Sequence, residues 1–130
     1  MSGLVTVIAG SRTITDYETV QSAIAAAPFE VAEVISGGAD GVDTLGEEWA
    51  EQHDIPVQTV LPEEFEAEEA NTGIPKYLLR NKEMARRGEA LIAVWNEESS
   101  GTKHMIECAK DNGLDIHTHS TVSHRLDSFF

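Results

Sequence analysis

Residues 31–43 read VAEVISGGADGVD, and the order of residue types in that stretch decides the fold. Val31 to Ser36 is a short apolar run rich in β-branched side chains, which reads as a strand. It stops at Gly37-Gly38, and from Gly41 to His53 the apolar period changes, with Val42, Leu45 and Trp49 along one helical stripe. A strand, a glycine turn and a helix make half of an α/β unit. Outward from it the alternation recurs. On the N-terminal side, Leu4 to Ala9 reads as a strand, and a capping box of Thr15 and Glu18 opens a helix. That helix has Tyr17, Val20 and Ile24 on one face and Pro28 past its end. On the C-terminal side, strands over Pro56 to Leu61, Ala90 to Trp95 and Leu114 to His117 alternate with two further helices. These run from Pro75 to Arg87, stopped by Gly88, and from Thr102 to Asn112, stopped by Gly113. The pattern predicts an α/β fold of three layers around a mainly parallel five-stranded sheet, in the order 3-2-1-4-5. In that order the chain winds one way from strand 1 and the other way from strand 4, so a ligand crevice is expected beyond their carboxyl ends.

Length and charge narrow the function classes. At 130 residues and 41% hydrophobic content, the chain supplies one core, and two independent domains are excluded. Residues 1–118 are expected to form the domain, and 119–130, ending in Phe129-Phe130, a tail that packs on the body or on a second subunit. Nine Lys and Arg against 23 Asp and Glu give a net charge of −14, which repels nucleic-acid polymers and anionic lipid surfaces alike. An acid-rich, lysine-poor surface is also what a halophilic, high-salt cytoplasm would select. The single cysteine, Cys108, excludes an internal disulfide and a cysteine-based zinc site and reads as a small apolar helix residue. Leu4 to Ala9 has no basic region before it and is too short for a signal peptide core or a membrane span, so a cytoplasmic location is expected.

Three strand ends point to a phosphate. Strand 1 ends in Ala9-Gly10-Ser11-Arg12, strand 2 in Ser36-Gly37-Gly38-Ala39-Asp40-Gly41, and strand 4 runs into Asn96-Glu97-Glu98-Ser99-Ser100-Gly101-Thr102. Glycines permit close backbone approach, and helix N-terminal amides with Ser and Thr hydroxyls hold anions. Each loop alone is a tight turn, but three at one end of a sheet outline a nucleotide-type site. The chain lacks G-x-x-x-x-G-K-[ST], and Gly10-Ser11-Arg12 does not extend to G-x-G-x-x-G, which excludes a P-loop NTPase and an ordinary NAD dehydrogenase.

Positive charge is concentrated in one helix. Residues 47–69 hold nine acids and no Lys or Arg, whereas Lys76, Arg80, Lys82, Arg86 and Arg87 are five of the nine cations. Lys76, Arg86 and Arg87 read as partners of the acidic stretch. Asn81 shares a helix face with Tyr77, Met84 and Ala85, where a buried amide needs partners, and Arg80 beside it can reach a ligand phosphate. Asp43 reads as a helix N-terminal acid that orients the second loop or meets a ribose hydroxyl. His104 is an acid–base candidate near the Ser-Gly-Thr loop, and Trp95 a stacking or core residue. His117 and His119 share a strand face without a third ligand, so no metal and no cofactor is expected.

The segments Ala9-Gly10-Ser11-Arg12, Ser36 to Asp43, Arg80-Asn81-Lys82-Glu83-Met84 and Ser100-Gly101-Thr102, with Ala109 after it, together resemble the SLOG superfamily. Within it they are most similar to the small single-domain YspA-like branch. The resemblance implies a Rossmann-like fold, a pocket for a nucleotide or nucleotide-derived ligand, and a homo-oligomer. It also implies a comparison with the LOG phosphoribohydrolases, whose signature P-G-G-x-G-T-x-x-E places a glutamate at the ribose. In this chain Met105 stands at that position, and a thioether has no acid–base function. The expectation is therefore a binding protein for a nucleotide-derived small molecule, a sensor or sequestering module, with a LOG-like hydrolase of the nucleotide's glycosidic or phosphate bond, drawing on Asp43 or Glu98 as its acid, as the alternative. Its phosphate would lie on Gly37-Gly38 and Ser100-Gly101-Thr102, with contacts from Gly10, Ser11, Arg12, Ala39, Asp43, Arg80, Asn81 and Ser99.

Overall fold

A computed structural model describes residues 3–65 and 73–122. Five strands form one sheet: β1 (Gly3–Gly10), β2 (Glu30–Ser36), β3 (Val57–Thr59), β4 (Ala90–Trp95) and β5 (Asp115–Ser120). All four pairings are parallel and the order is β3-β2-β1-β4-β5, as the alternation predicts. Among the described residues four helices connect them: α1 (Tyr17–Ala26), α2 (Val42–Gln52), α3 (Lys76–Arg87) and α4 (Ser100–Asp111), with a short 3-10 turn at Pro62–Phe65.

The alternation of side chains along each strand divides the core in two. Val7 and Ala9 of β1 and Leu91 and Ala93 of β4 face Met84, Ala85, Met105, Cys108 and Ala109 of α3 and α4. Ile8, Ile92 and Val94 point the other way, against Val20, Ala23 and Ile24 of α1 and Val42 and Ala50 of α2. Both faces of β1 and β4 are therefore covered, which is why these strands read as continuous apolar runs.

Element ends differ from the expected ones where a side chain competes for the cap. Asp16, not Thr15, caps α1: its carboxylate accepts from the Glu18 amide at 3.2 Å and the Thr19 hydroxyl at 2.9 Å. A charged acceptor there displaces the capping box. α4 begins two residues before Thr102, because the Ser99 hydroxyl accepts from the Thr102 amide and makes Ser99 the cap. The last strand runs past His117 to Ser120, paired with β4 along its whole length, so it crosses the expected boundary at 118. Phe129 and Phe130, on which the expected tail contact and self-association rest, lie outside the described residues. Among the described residues, no helix is long and apolar enough to cross a membrane.

Candidate functional site

Parallel pairing puts the carboxyl ends of all strands at one edge, and at that edge lies a cavity of about 610 Å³. β1 and its loop supply Ala9 to Thr13, the second loop and α2 supply Ala39 and Asp43, and the end of β4 supplies Asn96 and Glu98. α3 contributes Tyr77, Arg80, Asn81 and Met84, and the start of α4 contributes Ser99 to Thr102 and Met105. Eleven of the thirteen residues singled out by the sequence therefore line one cavity.

Gly37 and Gly38 are the two that do not, and one carbonyl and one amide of the pair are committed elsewhere. The Gly37 carbonyl accepts from Arg80 Nη1, and the Gly38 amide donates to the Ser36 hydroxyl at 3.2 Å. Ala39 also spends its amide, on Asp43 Oδ2 at 3.2 Å. The second loop is thus braced from within at Gly37, Gly38 and Ala39. Thr102 is likewise committed, its amide donating to Ser99 Oγ. The amides of Ser100 and Gly101, in the first turn of α4, have no acceptor among the described residues, and they sit on the cavity wall. Unpaired amides in the first turn of a helix are groups of the kind that hold anions.

Ser11 joins the two sides of the topological switch. Its amide donates to the Val94 carbonyl, its carbonyl accepts from the amides of Ile14 and Val42, and its hydroxyl accepts from the Asn96 amide. Asn96 in turn accepts from the amides of Glu98 and Ser99, which sets the loop before α4. Trp95 does not line the cavity; its indole donates to the Ser99 carbonyl at 3.1 Å and braces the same loop.

Arg80 is 6% exposed and faces Asp43, also 6% exposed, across Gly37. Its Nε donates to Asn81 Oδ1 at 3.2 Å, and Nη1 to Gly37, while Nη2 has no acceptor among the described residues. Burial holds the Asp43 carboxyl up at about 6, against the Ala39 amide and the charge of Arg80. Burial also lowers Arg80, which the Asp43 carboxylate opposes, and a guanidinium keeps its charge regardless. The predicted partners of Asn81 exist: its amide nitrogen donates to the Gly101 carbonyl and to His104 Nδ1, both at 3.2 Å. His104 therefore stands behind the cavity wall rather than in it, and burial lowers its pKa.

The raised carboxyl of Asp43 has a consequence for stability. An unfolded aspartate titrates at its ordinary value of 3.8, so between about pH 4 and pH 6 the folded state holds the extra proton. Stability therefore falls as pH rises through that window, by about 3 kcal/mol in total from this group. Asp43→Asn removes the dependence, so the variant gains on the wild type from pH 4 to pH 6 in urea denaturation. Parallel pH curves for the two proteins would contradict this assignment.

Arg86 and Arg87 pair with Glu83 of their own helix rather than with the acidic stretch, and the two guanidiniums hold that carboxyl down at about 2. Thr13, Tyr77 and Met84 line the cavity without having been singled out in the sequence as lining residues, whereas Asn96 belongs to the loop after β4 that was expected to face the ligand. Tyr77 and Met84 were available from helical spacing, at three residues either side of Arg80 and Asn81. Met105 is buried against the core and lines the cavity, so the position of the LOG glutamate is apolar. Among the described residues, no three His, Cys, Asp or Glu side chains converge to hold a metal ion.

With this geometry in hand, residues 5–65 match the YspA, cpYpsA-related SLOG family, covering the first two loops and Asp43. A relative beyond that segment is the Gene 61 protein of Mycobacterium phage D29, 32% identical over 114 residues, 84% of this chain and 90% of the phage protein. The chain belongs to the SLOG superfamily. Its fold extends over nearly the whole chain: the X-ray structure of DNA processing protein A (DprA) from Streptococcus pneumoniae superposes with a TM-score of 0.68 at 18% identity. That match covers 98% of the present SLOG chain and 56% of the DprA chain, so the chain spans little more than half of that protein's length. SLOG membership supports, at the level of the family, a nucleotide-related function.

Proposed function

We propose that this protein binds a nucleotide or nucleotide-derived small molecule, with its phosphate on the Ser100 and Gly101 amides and the Arg80 guanidinium. The observation that carries the reading is the single cavity into which two uncommitted helix amides and a buried arginine with an uncommitted Nη2 converge. Arg12, exposed at the rim, adds a second positive charge. A volume of about 610 Å³ suits a ligand much larger than phosphate alone. The net charge of −14 favours a small ligand over a polymer, because local dipoles and two arginines act at contact distance while the global field is screened by salt.

Hydrolysis of the bound nucleotide is the second reading, and Asp43 is the observation that favours it. It is a buried carboxyl on the cavity wall whose pKa, about 6, suits a general acid near neutral pH. Incubation with adenosine monophosphate, NAD and ADP-ribose separates the two readings, with thermal unfolding and released base followed together at low and high ionic strength. The expected result is a rise in Tm with at least one of them and no free base. Release of adenine or nicotinamide would replace the sensor by an enzyme, and an unchanged Tm with all three would remove the phosphate site.

A further inference from the structure

α3 presents Tyr77, Arg80, Asn81 and Met84 to the cavity at the i, i+3, i+4, i+7 spacing of one helical face. Three of the four are buried, whereas Tyr77 is 38% exposed, and among the described residues it is the one aromatic side chain that lines the cavity. Its hydroxyl has no hydrogen-bond partner among the described residues, so the ring is not held there for a polar contact of its own. It lies instead beside the start of α4: a Cβ built on Gly101 would come 3.9 Å from Tyr77 Cε2. An exposed ring thus borders the turn whose amides are uncommitted. The buried apolar side chains that line the same cavity, Ala9, Met84 and Met105, offer no charge and no hydrogen-bonding group other than a weak thioether acceptor. Planar apolar ring systems suit such a corner, and a second phosphate does not.

We infer that the Tyr77 ring is the stacking platform for the aromatic base of a nucleoside phosphate whose phosphate occupies the Ser100 and Gly101 amides. The inference rests on the phosphate reading proposed above and assigns the base end of the same ligand. Stacking uses the π-face and tolerates any base, so Tyr77 supplies affinity for a base without choosing among bases.

Adenosine monophosphate and ribose 5-phosphate, which share the phosphate and the sugar but differ in the base, test it by calorimetric titration. The wild type is expected to bind the nucleotide more tightly than the sugar phosphate. Tyr77→Ala lowers nucleotide affinity about 5- to 150-fold and leaves ribose 5-phosphate within about twofold, while Tyr77→Phe retains the wild-type preference. Equal losses for both ligands, an unchanged nucleotide affinity in Tyr77→Ala, or a Tyr77→Phe variant as weak as Tyr77→Ala would each overturn the platform while leaving the phosphate site intact. Failure of both ligands to bind the wild type would overturn the phosphate site and the platform together.

Discussion

Arg80→Ala is expected to lower the affinity for a phosphate-bearing ligand about 100-fold and to destabilise the fold by about 3 kcal/mol. The two effects have separate origins in one side chain. The loss of stability comes from what the guanidinium holds: the Gly37 carbonyl and Asn81 Oδ1 lose their donor, and Asp43 loses the positive charge across from it. Buried acceptors left without a donor cost about 1–3 kcal/mol each when water cannot replace it, so the total depends on how far the truncated site hydrates. The loss of affinity comes from the uncommitted Nη2 and the charge itself. Arg80→Lys distinguishes them, because an ammonium keeps the charge but cannot donate to Gly37 and Asn81 in a planar fork. Chemical denaturation and ligand titration on the same preparations give both numbers. An Arg80→Ala protein that folds and keeps its full ligand-induced rise in Tm would remove Arg80 from the site.

Gly10→Val is expected to abolish the folded state, a loss of at least about 4 kcal/mol. A Cβ on Gly10 would sit 2.0 Å from the Val94 carbonyl oxygen and 2.7 Å from Val42 Cγ2. The first is backbone of the neighbouring central strand, and the second opens α2, itself tied down by the Val42 amide on the Ser11 carbonyl. Neither can move without separating β1 from β4 or lifting α2 from the sheet. Gly101→Ala is the contrast at the same edge. Its Cβ would meet only Tyr77, at an ordinary contact distance of 3.9 Å, and an alanine in a helix is favoured over glycine by up to about 1 kcal/mol. Far-UV circular dichroism and urea midpoints compare the two, and a Gly10→Val protein with the wild-type midpoint would contradict the packing described for this corner.

Gly10 and Gly37 show how differently two glycines of the same composition signal behave. Both were legible as small residues at strand ends, and both are required by close approach, but only Gly10 faces the cavity. Gly37 makes room for Arg80 and Asp43, which arrive from residues far along the chain and from the next helix. No local pattern distinguishes a glycine that admits a ligand from one that admits a neighbouring side chain.

Apolar period and turn chemistry are local properties, and they were enough to determine the five strands and four helices of the described residues, their parallel order and the edge at which the cavity opens. Membership of Arg80 and Asn81 in the site was legible for the same reason, since a cationic and an amide side chain on an apolar helix face require partners. Which backbone amides remain free was a tertiary matter. Ser36, Asp43 and Ser99 each take up an amide of the glycine loops, and Arg80 takes up a carbonyl, while the amides of Ser100 and Gly101 on the cavity wall stay uncommitted among the described residues. Hydrogen-bond donors are assigned in competition among all acceptors within about 3 Å, and that competition is settled only when distant segments of the chain are brought together.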